Sequence, residues 1–225
     1  MPCKDQLSTT FYDNTCPNAL TTIHTSISAA VSKEKDIVKV GGPSWTVRLG
    51  RRDSTTSNTS QPLVDLPIGV FNLSLLISRF ERKGLNAREM VALSGSHTIG
   101  QARCNSFRTR IYDNSSNIDA DFATSLRKNC PPNSPNGNNN MQPLDLVTPN
   151  AFDNNYFKNL VSGRGLLISD QALFNGDSTD SIVMEYVDNP STFESDFAAA
   201  MVKMSELDVL TGANGIIRTL CNTAS

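Results

Sequence analysis

The chain has 225 residues, of which 38% are hydrophobic and 19% charged, and its formal net charge is −2. This balance is typical of a globular protein that buries a sizeable core, and it argues against a disordered chain. Because its basic residues form no block and no apolar run approaches the ~18 residues of a membrane span, we expect neither a nucleic-acid nor a membrane partner.

Helical periodicity dominates the chain. Asn86 with Glu89 predicts a capping box for the third of the predicted helices, and Asp119 predicts an N-cap for the fourth. Ser191 with Glu194 predicts a capping box for the last. The apolar stripes place the helices at residues 20–31, 73–80, 90–93, 120–126, 156–161, 182–187 and 193–207.

Strand signals are few. The candidates are TVRLG at 46–50 and GLLIS at 165–169, and residues 131–143 form a polar, turn-rich loop. We therefore predict a mostly α protein. At residues 33–43, KEKDIVKVGGP, a charged helix end runs directly into a Gly-Gly-Pro turn, which indicates an abrupt join.

One histidine stands in the segment LSGSHTIGQARC at residues 93–104. His97 lies between small residues, and the chain has only one other histidine, His24. Taken alone, a lone histidine is most often a core side chain that is satisfied by hydrogen bonds.

Seven segments together resemble the secreted plant haem peroxidases (class III). They keep the family's order and cover most of the chain. The resemblance implies a helical haem-peroxidase fold with haem b, and a monomeric oxidoreductase in which hydrogen peroxide drives the one-electron oxidation of phenolic donors. The segments are QLSTTFYDNTCPN (6–18), GGPSWTVRLGRRDS (41–54), DLP (65–67), MVALSGSHTIGQARC (90–104), DLVTPNAFDNNYF (145–157), GLLISDQALF (165–174) and LTGANGIIR (210–218).

The resemblance implies roles for several side chains around His97. His97 matches the proximal axial ligand of the haem iron, and a basic axial ligand suits peroxidases. Asp170 matches the carboxylate that accepts the other ring N–H of that histidine, although it could also serve as a helix N-cap. Pro67 matches a residue of the channel for aromatic donors, and its alternative role is that of an ordinary loop proline. Cys104 and Cys130 match one family disulfide.

A calcium site is implied beside the iron ligand. Thr98, Asp145, Thr148, Ala151 and Asp153 match the proximal calcium ligands of the family, and their hydroxyl, carboxylate and carbonyl oxygens are hard donors. An ion held by Thr98 would brace the segment that carries His97. The alternative is helix capping, since Asp153 precedes a predicted helix.

The other half of the family's active site is missing from the sequence. An R-x-x-F-H-D-C segment, which supplies the distal acid–base histidine and an arginine, belongs before GGPSW, but here SKEKD at 32–36 is followed at once by IVKVGGPSW. His24 lies too early to replace it. We therefore expect residues 1–36 to be the remnant of a distal domain and residues 37–225 to be a proximal haem- and calcium-binding domain.

The remaining cysteines have no certain partners. In the family, Cys16 and Cys221 pair with cysteines of the missing segment, so here they could pair with each other or stay free, and Cys3 has no counterpart. Because five cysteines are an odd number, at least one thiol cannot pair within the chain.

Three interpretations are compatible with this sequence. The first is a peroxidase whose haem retention and turnover are impaired because the distal residues are absent. The second is a non-catalytic relative that binds haem or calcium, and the third is a truncated product of splicing or of gene prediction. The resemblance implies an extracellular or vacuolar location, while the amino terminus lacks the apolar core of a secretory signal.

Overall fold

The computed structural model describes residues 35–56, 60, 64–113, 117–133 and 135–217. Helix is the main secondary structure of this part, and the strands in it are few and short, which confirms the mostly α prediction. The first predicted helix, both ends of the chain and His24 lie outside the described residues. Residues 35–39 and 64–65 are helical next to residues outside the described part. The remaining α-helices are α1 (Leu73–Glu81), α2 (Ala87–Ser94), α3 (Cys104–Tyr112), α4 (Ala120–Arg127), α5 (Asn155–Val161), α6 (Ile168–Gln171), α7 (Asp180–Asp188) and α8 (Pro190–Ser205).

Two of the predicted helix starts are confirmed by hydrogen bonds. The Asn86 side chain accepts the backbone N–H of Glu89 at 2.9 Å, and the Glu89 carboxylate accepts that of Asn86 at 2.7 Å, which completes the capping box of α2. The Asp119 carboxylate accepts the backbone N–H of Phe122 at 2.9 Å and caps α4. These local pairs form because each satisfies a backbone donor that the helix leaves open.

The capping box predicted for the last helix is wrong. Helix α8 begins at Pro190, so Ser191 already lies inside the first turn, and Asn189 is the N-cap. Proline suits the first helical position because its fixed φ is helical and its missing N–H would have no partner there.

Both predicted strands are also wrong. Residues 46–50 form no strand. Backbone pairing is found just after them instead, where Arg52 bridges Leu210 and Asp53 bridges Ile216. In the second segment Ile168 begins α6 instead.

The strands of the described residues are β1 (Gln101–Arg103) and β2 (Met141–Pro143), which pair antiparallel with Ala102 opposite Gln142. Strand β2 ends the stretch that was predicted as a loop. These strands are only three residues long, too short for an alternation signal to stand out in the sequence.

The larger hydrophobic core surrounds α2. Met90, Val91 and Ala92 of this helix are completely buried among α1, α5, α7 and α8. Aromatic rings supply much of the packing, and the Phe152 and Phe193 rings stack with centroids 5.2 Å apart. Helix α2 therefore has a fixed position, and its C-terminal end is fixed with it.

A second core cluster joins α3 and α4. Phe107 and Leu126 are buried in it, and the predicted disulfide between Cys104 and Cys130 is present, with Cα atoms 5.5 Å apart. No helix in the described part of the chain is both long enough and apolar enough to cross a membrane.

The disulfide should make a large contribution to stability. Replacing both cysteines by alanine (C104A/C130A) should lower the free energy of unfolding by roughly 3–4 kcal/mol, because the unfolded chain loses the constraint of a closed loop. Urea unfolding followed by the fluorescence of Trp45, the single tryptophan, measures this. Reduction of the unmodified chain should cause a similar loss, and equal stability of variant and oxidised chain would contradict the prediction.

Candidate functional site

The segment that carries His97 is a direct continuation of α2. A 3₁₀ turn at Gly95–Thr98 follows the helix without a break. A Cβ atom at Gly95 would lie 2.4 Å from the Phe193 ring, so only glycine permits this close approach of backbone and core. The core of the protein thus sets where the His97 backbone lies.

The structure brings His97 and Asp170 together although they are far apart in the sequence. The imidazole Nδ1 lies 2.7 Å from the Asp170 Oδ1 atom, and Asp170 is only 1% exposed. Because a carboxylate can only accept, Nδ1 carries the proton and the Nε2 lone pair is left available for a metal. The imidazole itself is 24% exposed, so a ligand can reach it.

Burial and the neighbouring carboxylate act on the imidazole in opposite directions. Burial lowers the pKa of His97, whereas the charge of Asp170 and its hydrogen bond raise it. The carboxylate prevails, so the pKa of His97 lies above its usual value. The same attraction gives the ring more electron density when only Nδ1 is protonated, and this makes Nε2 a stronger donor to a metal.

Asp170 is not a helix N-cap, so this alternative is wrong. It is the third residue of α6, and its Oδ2 atom accepts the backbone N–H of Leu167 at 2.8 Å from within the helix. This bond starts α6 at the place where a strand was predicted.

Tyr156 was not predicted as a site residue. Its hydroxyl donates to the Asp170 Oδ1 atom at 3.1 Å, the same oxygen that faces His97. In the sequence Tyr156 stands only as one member of the apolar stripe of α5. The sequence does indicate that a buried tyrosine needs a hydrogen-bond partner for its hydroxyl, but it does not identify that partner.

Four of the five predicted calcium ligands lie together, because oxygen atoms of the other three surround the hydroxyl of Thr98. The Thr98 Oγ1 atom lies 3.2 Å from Asp145 Oδ2, 3.3 Å from Asp153 Oδ1 and 3.4 Å from the carbonyl oxygen of Ala151. The fifth residue, Thr148, has its Oγ1 atom 3.5 Å from Asp145 Oδ2. We call these five residues the oxygen cluster.

Around Thr98, the oxygen cluster offers more acceptor oxygens than the hydroxyl of this residue has hydrogens. The Thr98 hydroxyl has one hydrogen for three oxygens, two of which belong to carboxylates. Among the residues that the structure describes, no three His, Cys, Asp or Glu side chains group into a metal site. The cluster instead mixes two carboxylates with hydroxyl and carbonyl oxygens, which is the donor set that suits calcium.

Two asparagines that were not predicted hold the carboxylates of the cluster. The Asn159 side chain donates to Asp145 Oδ1 at 2.9 Å, and the Asn155 side chain donates to Asp153 Oδ2 at 3.1 Å. The Asp153 Oδ1 atom also accepts the backbone N–H of Asn155 at 2.7 Å. Asp153 is not the N-cap of α5, which is Asn154, but from its place in the cluster it accepts the first N–H of that helix.

Pro67 lies in a loop beside the helix that carries Asp170. The carbonyl oxygen of Gly69 accepts the backbone N–H of Ser169 at 3.0 Å, which holds this loop against α6. Next to Pro67 the apolar side chains of Ile68 and Val70 are about half exposed, at 53% and 52%. The loop therefore presents an apolar surface close to the site.

Comparison with known proteins identifies similar chains. A sequence model of the peroxidase family matches residues 12–189. The basic peroxidase of Zinnia elegans is 50% identical, in an alignment that covers 100% of this chain and 92% of the relative. The lignin-forming anionic peroxidase of Nicotiana sylvestris is 45% identical with 100% and 93% covered, and peroxidase 4 of Vitis vinifera is 54% identical with 85% and 60% covered.

The alignments also differ in length from the chain. The Zinnia alignment runs over 299 positions against 225 residues here, so at least 74 of its positions have no residue in this chain. The Vitis alignment spans 192 residues and 85% of this chain, and it therefore contains few such positions.

Proposed function

Because this chain belongs to the plant peroxidase family and is a haem peroxidase by that membership, we propose that His97 holds haem b and that the oxygen cluster holds one calcium ion. The observation that carries this proposal is the 2.7 Å contact between His97 Nδ1 and Asp170 Oδ1, which leaves Nε2 free for iron. The excess of acceptors around Thr98 supports the calcium part.

When bound, haem would supply the redox chemistry, which is the reduction of hydrogen peroxide and the oxidation of phenolic donors by one electron at a time. His97 would hold the iron through Nε2. Asp170 would fix the ring orientation and the tautomer, and its charge would increase the donor strength of Nε2. Small phenolic donors would approach along the apolar loop that contains Pro67.

Catalysis by this chain should be weak. Peroxide cleavage needs a group that takes a proton from one oxygen and delivers it to the leaving oxygen, and the sequence has no histidine at the position of the distal segment. The alignment positions without a residue in this chain support a loss of sequence. We place this loss at the join of residues 36 and 37, where SKEKD is followed at once by IVKVGGPSW. On this basis we assign residues 37–225 to the proximal haem- and calcium-binding domain.

A second candidate function is non-catalytic binding of haem and calcium. The observation that favours it is the same absence of a distal acid–base group beside an intact His97–Asp170 pair. The resemblance to the secreted plant peroxidases implies an extracellular or vacuolar location, and we propose this location and a monomer in either case.

Haem binding should depend on His97 and not on the other histidine. The chain reconstituted with haem should show a Soret band and histidine coordination, and His97→Ala should lose that coordination. Absorption spectroscopy reports the coordination of the iron, and a pyridine haemochrome assay measures how much haem is bound. His24→Ala is the matched control and should keep the coordination, whereas retention of histidine coordination in H97A would contradict the assignment.

Guaiacol oxidation with hydrogen peroxide should be slower than in a plant peroxidase that retains the distal segment. We expect a loss of about 10²–10⁴ in rate, which is the usual contribution of a positioned general acid–base group. Insertion of the distal segment of a relative between Asp36 and Ile37 should restore turnover. Full turnover by the unmodified chain would show that the distal segment is not needed.

Calcium should stabilise the protein through the oxygen cluster. At a concentration of 100 times its Kd, the ion should add about 2.7 kcal/mol to the free energy of unfolding, measured as a rise in the thermal midpoint. Asp145→Asn should lose most of this response because a charged ligand becomes neutral. Asp121→Asn, an exposed site on α4, removes the same charge and should respond like the unmodified chain. Equal responses of the two variants would contradict the site.

A further inference from the structure

We propose that Tyr156 is a positioning residue that limits the strength of the His97–Asp170 hydrogen bond by competing for the same carboxylate oxygen. The competition concerns only groups of this chain. Its consequence at the iron rests on the proposed function, in which His97 is the axial ligand.

The Asp170 carboxylate receives three donors on two oxygens. Oδ2 accepts the backbone N–H of Leu167 at 2.8 Å, while Oδ1 accepts both His97 Nδ1–H at 2.7 Å and the Tyr156 hydroxyl at 3.1 Å. Two donors on one oxygen divide its negative charge between them. The Tyr156 hydroxyl therefore weakens the attraction that His97 experiences.

Tyr156 cannot easily exchange this partner for another. The residue is only 1% exposed, so water does not replace the carboxylate. Its ring is held edge-on to the His97 ring, with centroids 6.1 Å apart, and edge-on to the Phe157 ring, with centroids 5.1 Å apart. Burial, and then the charge of Asp170, raise the pKa of Tyr156 well above its usual value, so the hydroxyl keeps its hydrogen and acts as a donor.

The oxygen cluster fixes both donors. Thr98 follows His97 in the chain, and Asp153 precedes Tyr156 by three residues at the start of α5. Thr98 and Asp153 meet at 3.3 Å in the cluster. The two hydrogen-bond donors to Asp170 are thus anchored at one place, and neither can move away from the carboxylate without disturbing the other.

Removal of the hydroxyl should shift the balance toward His97. With one donor fewer, Oδ1 carries more negative charge, and the His97 Nδ1–H bond should be polarised more strongly. In a haem-loaded chain this would give the imidazole more anionic character, which stabilises ferric iron and lowers the reduction potential.

The direct test needs no haem. Proton NMR of the folded chain should show the His97 Nδ1–H resonance far downfield, and Tyr156→Phe should move it further downfield. Tyr186→Phe is the matched control, since Tyr186 is equally buried in the same core and donates to a different carboxylate, that of Asp196, at 2.8 Å. An unchanged resonance in Y156F, or the same change in both variants, would overturn the proposal.

A second measurement keeps the test valid should Y156F fail to fold. Growth with 3-fluorotyrosine keeps the ring and the hydroxyl of Tyr156 but makes this hydroxyl a stronger donor. The His97 Nδ1–H resonance should then move upfield. No movement would overturn the proposal.

In chains that take up haem, the reduction potential of Y156F should lie below that of Y186F, and equal potentials would overturn the consequence at the iron. A chain that binds no haem refutes the proposed function but leaves the NMR result to decide the role of Tyr156.

Discussion

A carboxylate that is almost completely buried must be compensated by donors, and Asp170 draws its donors from three separate parts of the chain. The backbone of Leu167 comes from the start of its own helix, His97 from the turn after α2, and Tyr156 from α5. Burial of one negative charge thus organises the imidazole, the tyrosine and the helix start at the same time. The orientation of His97, on which any role as an iron ligand depends, follows from this requirement.

The remaining constraints act on the backbone that carries these groups. Helix α2 is surrounded by aromatic rings, and Gly95 lets the chain pass close to Phe193 before it turns toward the site. On the outer side, Thr98 joins Asp145 and Asp153 in the oxygen cluster. The segment at 95–98 is therefore fixed from the core at one end and from the cluster at the other.

Ion pairs contribute less to this arrangement than packing does. Arg88 of α2 lies 2.8 Å from Glu185 of α7 and 2.7 Å from Asp196 of α8, yet all three side chains are partly exposed. Pairs of this kind contribute about 0–1 kcal/mol each. They add little to the packing of α2, whose Met90, Val91 and Ala92 are completely buried.

The sequence by itself determined what depends on neighbouring residues. The apolar stripes located every listed helix except α3 and α6, which were not predicted. The caps at Asn86 and Asp119 were correct because each is a contact between residues only three positions apart. The likeness to plant peroxidases singled out His97, Asp170 and the five residues of the oxygen cluster, since a family pattern preserves positions that are distant in the chain.

Only the tertiary structure decided the interactions between distant residues that no local pattern records. The two short strands pair only because α3 and the loop before β2 lie side by side, and the predicted strand at 165–169 became a helix start because Asp170 binds the backbone behind it. In the same way, the hydroxyl of Tyr156 shares the carboxylate with His97 only after α5, α6 and the turn after α2 have packed. Periodicity places a side chain on the inner face of a helix, but which polar group it meets there depends on how the helices pack.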